Sequence, residues 1–246
     1  MFHYFANPTR LNRLLSRIRP FALIIMVVCA FAGIYKSLWD SPADYLQGEY
    51  VRMMYIHVPA AWMSMMIYGI MASSSFVFLI WRHSMADAVA RHSAPAVMIM
   101  ASITLVTGSL WGRPTWGTYW VWDARLTSML ILWIMVIAYM MLARQADGVE
   151  TRQRACAYLC LFGAINLPII KFSVEWWNTL HQPSSIRLGS GESHIDDAML
   201  TPLLLMYFAY LNAYIVVLSW RVQTYHMRAK ILRIERTMLR QRTRSQ

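Results

Sequence analysis

Two of the seven histidines stand where they could bind the iron of a haem. His57 precedes one long apolar segment and His181 follows another, and the chain topology derived below puts both on one side of a membrane. Two neutral imidazoles facing each other across an apolar cleft form the ligand set of a bis-histidine haem. A structural role at a helix end is the alternative for each. His194, in the same loop as His181, is a third candidate.

A tryptophan-rich stretch, residues 111–122, carries a second chemical signal, because four Trp and one Tyr lie within it. At helical spacing, Trp116, Tyr119, Trp120 and Asp123 would share one face of a short amphipathic helix on the membrane surface. Such a face suits a large planar ligand or a partner's apolar surface. The alternative is an interfacial aromatic belt, which explains only one or two aromatic residues at each helix end. We call the following set the aromatic platform: Trp111, Trp116, Tyr119, Trp120, Trp122 and Asp123.

The two propionates of a haem need cationic partners. Four arginines in the loops on this side are candidates: Arg52, Arg113, Arg125 and Arg187. For Arg125, the alternatives are an ion pair with Asp123 and a snorkelling position at the start of a span. Glu175 could orient a histidine by accepting its second N–H, or it could be a solvated loop carboxylate.

Six apolar segments must position these residues. Each is close to 20 residues long, the length of helix that crosses roughly 30 Å of hydrocarbon. Of the 246 residues, 58% are hydrophobic and 14% are charged, which excludes a soluble enzyme, a disulfide-stapled domain and a disordered protein. Each segment must be helical, because lipid-exposed backbone has to satisfy its own hydrogen bonds. We therefore predict an all-α integral membrane protein of one domain, with spans at about 21–39, 58–81, 94–110, 126–143, 155–172 and 199–220.

Charge asymmetry orients these spans. Seventeen Lys and Arg residues fall on the side of the two termini and six on the other side. Because basic residues are retained in the cytoplasm, we predict cytoplasmic termini and periplasmic loops around His57, residues 111–127 and His181. Eight of the seventeen form a basic cytoplasmic tail, 221–246. The net charge of +11 thus comes from basic residues that flank the membrane spans. This position favours membrane lipid over nucleic acid as a partner.

The cysteines and the phosphate-binding motifs narrow the function further. None of the three Cys lies in a periplasmic loop, and no C-x-x-C occurs, which excludes a thiol oxidoreductase and a c-type cytochrome. The sequence also lacks the phosphate-cradling G-x-x-x-x-G-K-[ST], so any ATP dependence must come from another subunit.

The pattern W-G-x-x-x-W-G-x-x-W-x-W-D-x-R-L-T, residues 111–127, resembles the WWD signature of haem-handling membrane proteins. Within that group the chain is similar to the CcmC family of cytochrome c maturation. The resemblance covers the six-span layout, the H-V-P-A-A-W sequence that begins at His57, and the stretch 166–182 that contains His181.

This resemblance implies a function and a set of partners. His57 and His181 would be the axial ligands of haem b, a transient cargo, and the aromatic platform would hold the haem and meet the haem chaperone CcmE. A histidine of CcmE then bonds to a haem vinyl group. The resemblance also implies association with the CcmA, CcmB and CcmD subunits in the inner membrane of a Gram-negative bacterium, or in the mitochondrial inner membrane as the alternative.

In this interpretation the chain is not an enzyme, because it assists the covalent step by positioning the reactants. Two other functions stay open. The chain could be a haem-conducting subunit of an ABC-type exporter. The spans contain no track of polar or ionisable residues, which disfavours conduction. It could also be a membrane enzyme that uses His57, Asp123 and Glu175 on a lipid-linked substrate.

Overall fold

The computed structural model describes residues 8–145, 148–177, 179–181 and 195–244. No β-strand occurs in these ranges, apart from an isolated bridge between Asp44 and Gly48. A π-helical turn, Lys36–Asp40, follows the first α-helix, and a 3-10 turn, Glu49–Met53, precedes the second. The α-helices are α1 Pro8–Tyr35, α2 Met54–Trp81, α3 Ser84–Trp116, α4 Ala124–Leu142, α5 Val149–Ala164, α6 Asn166–Trp176 and α7 Asp197–Arg244.

Among the described residues, six helical segments are long and apolar enough to cross a membrane. Their bounds are Arg10–Asp40, Glu49–Trp81, Ser84–Trp116, Ala124–Leu142, Val149–Trp176 and Asp197–Gln241. The predictions of an all-α architecture and of six membrane-spanning segments are therefore confirmed. Most of the helices extend past the apolar stretches, because polar residues at the membrane surface continue the same backbone hydrogen-bond pattern.

The fifth segment consists of two helices, α5 and α6, that meet at Ile165. Pro168 has no backbone N–H and is tolerated in the first turn of a helix, which is where α6 places it. The side-chain amide of Asn166 donates to the carbonyl oxygen of Ser128 on α4, 2.7 Å away. The break therefore ties α6 to α4, and the chain from α6 leads to His181.

The hydrophobic core is built around α2. Met63, Ile67, Tyr68 and Met71 of this helix are fully buried. They pack in one cluster with buried residues of α3, α4, α5 and α7. α1 lies on the outside of the bundle, where Gly33 faces Met206 of α7.

The bundle has two chemically different ends. We call the end that holds His57, the connection 117–123 and His181 the histidine end. At the opposite end, the buried carboxylate of Asp87 pairs with Arg91 and accepts a hydrogen bond from Gln153, 2.8 Å away.

The other described histidines lie at the opposite end. His83 immediately precedes α3, and His92 and His226 pack against the ring of Tyr225. His3 lies outside the described residues, as does His194.

Candidate functional site

His57 lies in the first turn of α2 and packs against α3. Its ring rests beside Gly108, where an added Cβ atom would come within 2.9 Å of the ring's Cε1. The indole of Trp111 meets the same ring edge to face, with 5.8 Å between centroids. The imidazole of His57 therefore lies directly against the backbone of α3 at Gly108. Because Gly108 has no side chain, α2 and α3 can approach closely at this point.

The tautomer of His57 follows from its partner. Nδ1 of His57 lies 3.0 Å from the hydroxyl oxygen of Thr107. That hydroxyl donates its one proton to the carbonyl of Ile103, 2.6 Å away, so it can only accept from the histidine. Nδ1 of His57 therefore carries the proton, and Nε2 keeps a free lone pair.

His181 lies close to the aromatic platform. Its Nδ1 is 3.0 Å from the Oδ2 atom of Asp123, and the imidazole packs edge to face on Trp116 with 4.8 Å between centroids. A carboxylate only accepts, so His181 donates from Nδ1, and its Nε2 makes no hydrogen bond to the described part of the chain.

Asp123 has two functions in the local structure. Its Oδ1 atom caps the N-terminus of α4 by accepting the backbone N–H of Leu126 at 2.8 Å, while Oδ2 receives His181. Burial alone would raise the pKa of Asp123, but the His181 hydrogen bond and the N–H groups of Leu126 and Arg125 outweigh it and lower that pKa below its ordinary value. The carboxylate is therefore ionised when it holds His181.

The last turns of α3 bring the two histidines into one site. Thr107, Gly108 and Trp111 lie against His57, and Trp116 contacts His181. Both contacts are made by the same end of α3, which is also the end that leads into the connection 117–123. Two imidazoles with free Nε2 atoms thus share the histidine end of the bundle.

The prediction of one short amphipathic helix through the aromatic platform is wrong. α3 continues to Trp116 and ends at Gly117, whose φ of 79° lies in the left-handed region that favours glycine. Residues 118–122 are not helical, and Asp123 starts the next helix. The platform residues therefore belong to a helix end, a turn and a helix cap, and they do not share one helical face.

The aromatic side chains of the platform divide into two groups by exposure. Trp111, Trp116 and Trp120 are half-buried, whereas Tyr119 and Trp122 are exposed, Trp122 by 75%. The indole N–H of Trp111 donates to the side-chain oxygen of Gln47, 2.8 Å away. The exposed Trp122 packs edge to face on the half-buried Trp120, with 5.4 Å between ring centroids, so the two groups adjoin.

Two of the four candidate arginines are already engaged. Arg113 donates to the carbonyl of Gly117 and stacks over the ring of Tyr119, 5.7 Å from its centroid. It therefore stabilises the turn after α3.

Arg52 pairs with Glu49 and donates to the carbonyl of Ser37. These bonds tie the start of α2 to the segment after α1. Arg187 lies outside the described residues.

Arg125 differs from these arginines. It is half-buried, and its Nε has no hydrogen-bond partner among the described residues. The ion pair with Asp123, one of the alternatives for Arg125, is not formed within 4.0 Å, and Asp123 instead accepts from His181 and Leu126. Glu175 is exposed, and Asp123 takes the role of orienting His181.

These residues fit a haem in three respects. Two neutral imidazoles offer free Nε2 atoms, and half-buried indoles provide flat apolar surface beside them. The Nε of Arg125 and the indole N–H of Trp120 are buried donors without an acceptor in the described part of the chain. Because buried donors are normally satisfied, they point to an anionic ligand group such as a propionate.

Sequence reasoning missed Thr107 and Gly108. Neither belongs to the tryptophan-rich stretch, and their role depends on the packing of α2 against α3.

Comparisons with known proteins identify the family of this chain. The family model CcmC, described as Heme exporter protein C, matches residues 1–242. A Bradyrhizobium diazoefficiens protein named Heme exporter protein C is 50% identical over 205 residues, which are 83% of this chain and 77% of that protein. The Escherichia coli K12 protein of that name is 42% identical over 234 residues, 95% of this chain and 92% of its own length.

A plant relative extends the comparison. A ccmC-like mitochondrial protein of cytochrome c biosynthesis from Marchantia polymorpha is 44% identical over 206 residues, 82% of this chain and 87% of its own. The family model matches almost the whole chain, and these relatives are 42–50% identical to it. The chain therefore belongs to the CcmC family of heme exporter protein C.

Proposed function

We propose that this protein binds haem b through His57 and His181 and delivers it to the haem chaperone CcmE. The observation that carries the proposal is the matched state of the two histidines. Nδ1 of each lies 3.0 Å from an oxygen of the chain, in Thr107 or Asp123, and a neutral histidine that donates from Nδ1 presents the lone pair of Nε2 to a ligand. Histidines that ligate metals are oriented in this way by their outer hydrogen bonds. The names of the relatives, which describe heme export and cytochrome c biosynthesis, support the same cargo.

Each group of the site has one task in this function. The imidazoles bind the iron from two sides, and Trp116 and Trp120 provide apolar contact for the macrocycle. Arg125 and the indole N–H of Trp120 hold a propionate through charge-assisted and neutral hydrogen bonds. Haem bound in this way is held by contacts that are all reversible, as transfer to an acceptor requires.

The covalent attachment of haem to CcmE needs no acid, base or nucleophile of this chain. The protein contributes proximity, because it holds the vinyl group beside the attacking imidazole of the acceptor. The exposed Trp122 and Tyr119 stand next to the half-buried indoles and form the surface that CcmE meets.

The histidine end faces the periplasm in this proposal, and both termini are cytoplasmic. The support is the distribution of Lys and Arg, seventeen on the side of the termini and six on the side of the histidines. The protein then resides in the inner membrane of a Gram-negative bacterium and works in a haem export complex with CcmA, CcmB and CcmD. The ATPase activity belongs to another subunit, since this chain has no phosphate-binding loop.

Haem retention by histidine variants tests the proposal. His57→Ala and His181→Ala should each lower the haem content of the purified, membrane-inserted protein by about tenfold or more, the loss expected for one coordinate bond worth at least about 1.4 kcal/mol. The matched control is His83→Ala, which changes a histidine at the opposite end of the bundle and should leave haem content unchanged. Normal haem content in either site variant would remove that residue from the ligand set, and loss in His83→Ala would contradict the location of the site.

A further inference from the structure

The two histidines are supported by chemically different acceptors. His181 donates from Nδ1 to the carboxylate of Asp123, and His57 donates from Nδ1 to the hydroxyl of Thr107, each over 3.0 Å. A carboxylate attracts the Nδ1 proton and thereby increases the electron density that Nε2 gives to a metal. A hydroxyl oxygen that has already donated its own proton does this much less. The two imidazoles are therefore unequal ligands.

The surroundings of each ring increase this difference. The Asp123 side chain is 6% exposed and is fixed by the N-terminus of α4, so its negative charge stays directed at His181. Around His57 the described contacts are the hydroxyl of Thr107, the indole of Trp111 and the backbone of α3 at Gly108, none of which carries a charge. None of these contacts places negative charge beside the Nδ1–H of His57, so its Nε2 donates as that of an ordinary imidazole does.

We propose that His181 is the anchoring ligand of the haem and that His57 is the exchangeable ligand, which leaves the iron when the haem passes to its acceptor. This inference rests on the proposed function. In the exchange, Nε2 of His57 leaves with its own electron pair and a donor of the acceptor takes the vacant position. The step therefore needs no change in the oxidation state of the iron and no proton transfer. Asp123 and Thr107 act as positioning residues through the two imidazoles.

Variants that keep only one of the two histidines test directly whether the two imidazoles donate unequally to the iron. In the reduced, haem-loaded protein, His57→Gly leaves only the carboxylate-supported histidine, and His181→Gly leaves only the hydroxyl-supported one. Resonance Raman spectroscopy should give a higher iron–histidine stretching frequency for His57→Gly, because stronger donation stiffens that bond. Equal frequencies, or a higher one in His181→Gly, would overturn the inference.

A matched pair of second substitutions assigns the cause. Adding Asp123→Asn to His57→Gly should lower the stretching frequency, because the single amide oxygen can cap α4 while the amide NH₂ replaces the acceptor of His181. Adding Thr107→Val to the same background should leave the frequency unchanged, since Thr107 contacts the missing histidine. An unchanged frequency with Asp123→Asn would show that the carboxylate does not strengthen the ligand.

Measurements on the protein with both histidines complete the test. Asp123→Asn should weaken haem retention by about 10- to 100-fold and raise the reduction potential, whereas Thr107→Val should have a smaller effect on both. Carbon monoxide added to the reduced wild-type protein should give the spectrum of the His57→Gly adduct, because it displaces His57. A spectrum that matches the His181→Gly adduct would reverse the assignment.

These outcomes separate the inference from the proposed function. A wild-type protein that holds no low-spin haem contradicts both. A wild-type protein with low-spin haem, combined with equal iron–histidine stretching frequencies in the two single-histidine variants, contradicts only the proposal that the histidines are unequal ligands.

Discussion

A Cβ atom on Gly108 would lie 2.9 Å from Cε1 of His57, closer than real Cβ atoms approach their neighbours. α2 and α3 pack at this distance because residue 108 has no side chain. The imidazole is thereby fixed against a helix backbone, with Nδ1 directed to Thr107 on the same helix. Gly108 is therefore part of the candidate haem site although it has no functional group.

Gly108→Ala should displace the ring of His57 and lower haem retention by about tenfold, since overpacking of this kind costs roughly 1–3 kcal/mol. The control is Gly69→Ala on α2, where an added Cβ meets nothing within 4 Å. Haem content per purified protein is the measurement. A Gly108→Ala protein with the haem content of wild type would show that the position of His57 does not limit binding.

Substitutions of two tryptophans should separate haem contact from partner contact. Trp116→Ala removes the ring that packs on His181, so it should lower haem content and, with it, delivery to CcmE. Trp122→Ala removes an exposed ring, so it should leave haem content intact and reduce co-purification of CcmE. The interpretation of the platform as an interfacial belt would be favoured if both variants kept haem and CcmE at wild-type levels.

Asp123→Ala should destabilise the protein by about 0.5–2 kcal/mol at neutral pH, because α4 loses its N-cap. The pKa of Asp123 is lowered in the folded protein, so its contribution is complete above the ordinary carboxyl range and is lost as the pH falls through the lowered pKa. The difference in unfolding free energy between wild type and Asp123→Ala should thus shrink on acidification. A difference that stays constant from about pH 7 to about pH 3 would mean that ionisation of Asp123 does not contribute.

A prediction for the bundle itself concerns α2 and α5. A Cβ on Gly163 would overlap the hydroxyl of Tyr68, which donates to the carbonyl of Cys160 at 3.2 Å. Gly163→Ala should lower the unfolding free energy by about 1–3 kcal/mol through overpacking. Adding Tyr68→Phe should recover part of this loss, because the hydroxyl that clashes is removed. Thermal unfolding in detergent measures both, and an additive loss in the double variant would contradict the assigned clash.

The sequence was sufficient for the features that depend on composition and local pattern. Six spans follow from the lengths of the apolar segments, and the location of His57, Trp116 and Asp123 at the ends of helices follows from their positions beside those segments. The sequence left two alternatives open for Glu175, and the structure shows an exposed carboxylate there, while Asp123 is the partner of His181.

Other features depend on tertiary packing, so the sequence could not give them. Thr107 and Gly108 become part of the site only through the alignment of α2 with α3. The single helix expected through the platform fails because Gly117 adopts a left-handed conformation and ends α3 one residue after Trp116. A pattern of aromatic spacing contains no information about that backbone dihedral angle.

The electron paramagnetic resonance spectrum of the purified, oxidised protein tests the central claim most directly. The account predicts a low-spin ferric signal of two imidazole ligands in wild type, and its conversion to a high-spin signal, or its loss, in both His57→Ala and His181→Ala. A low-spin signal that persists unchanged in either variant would contradict ligation by that histidine pair.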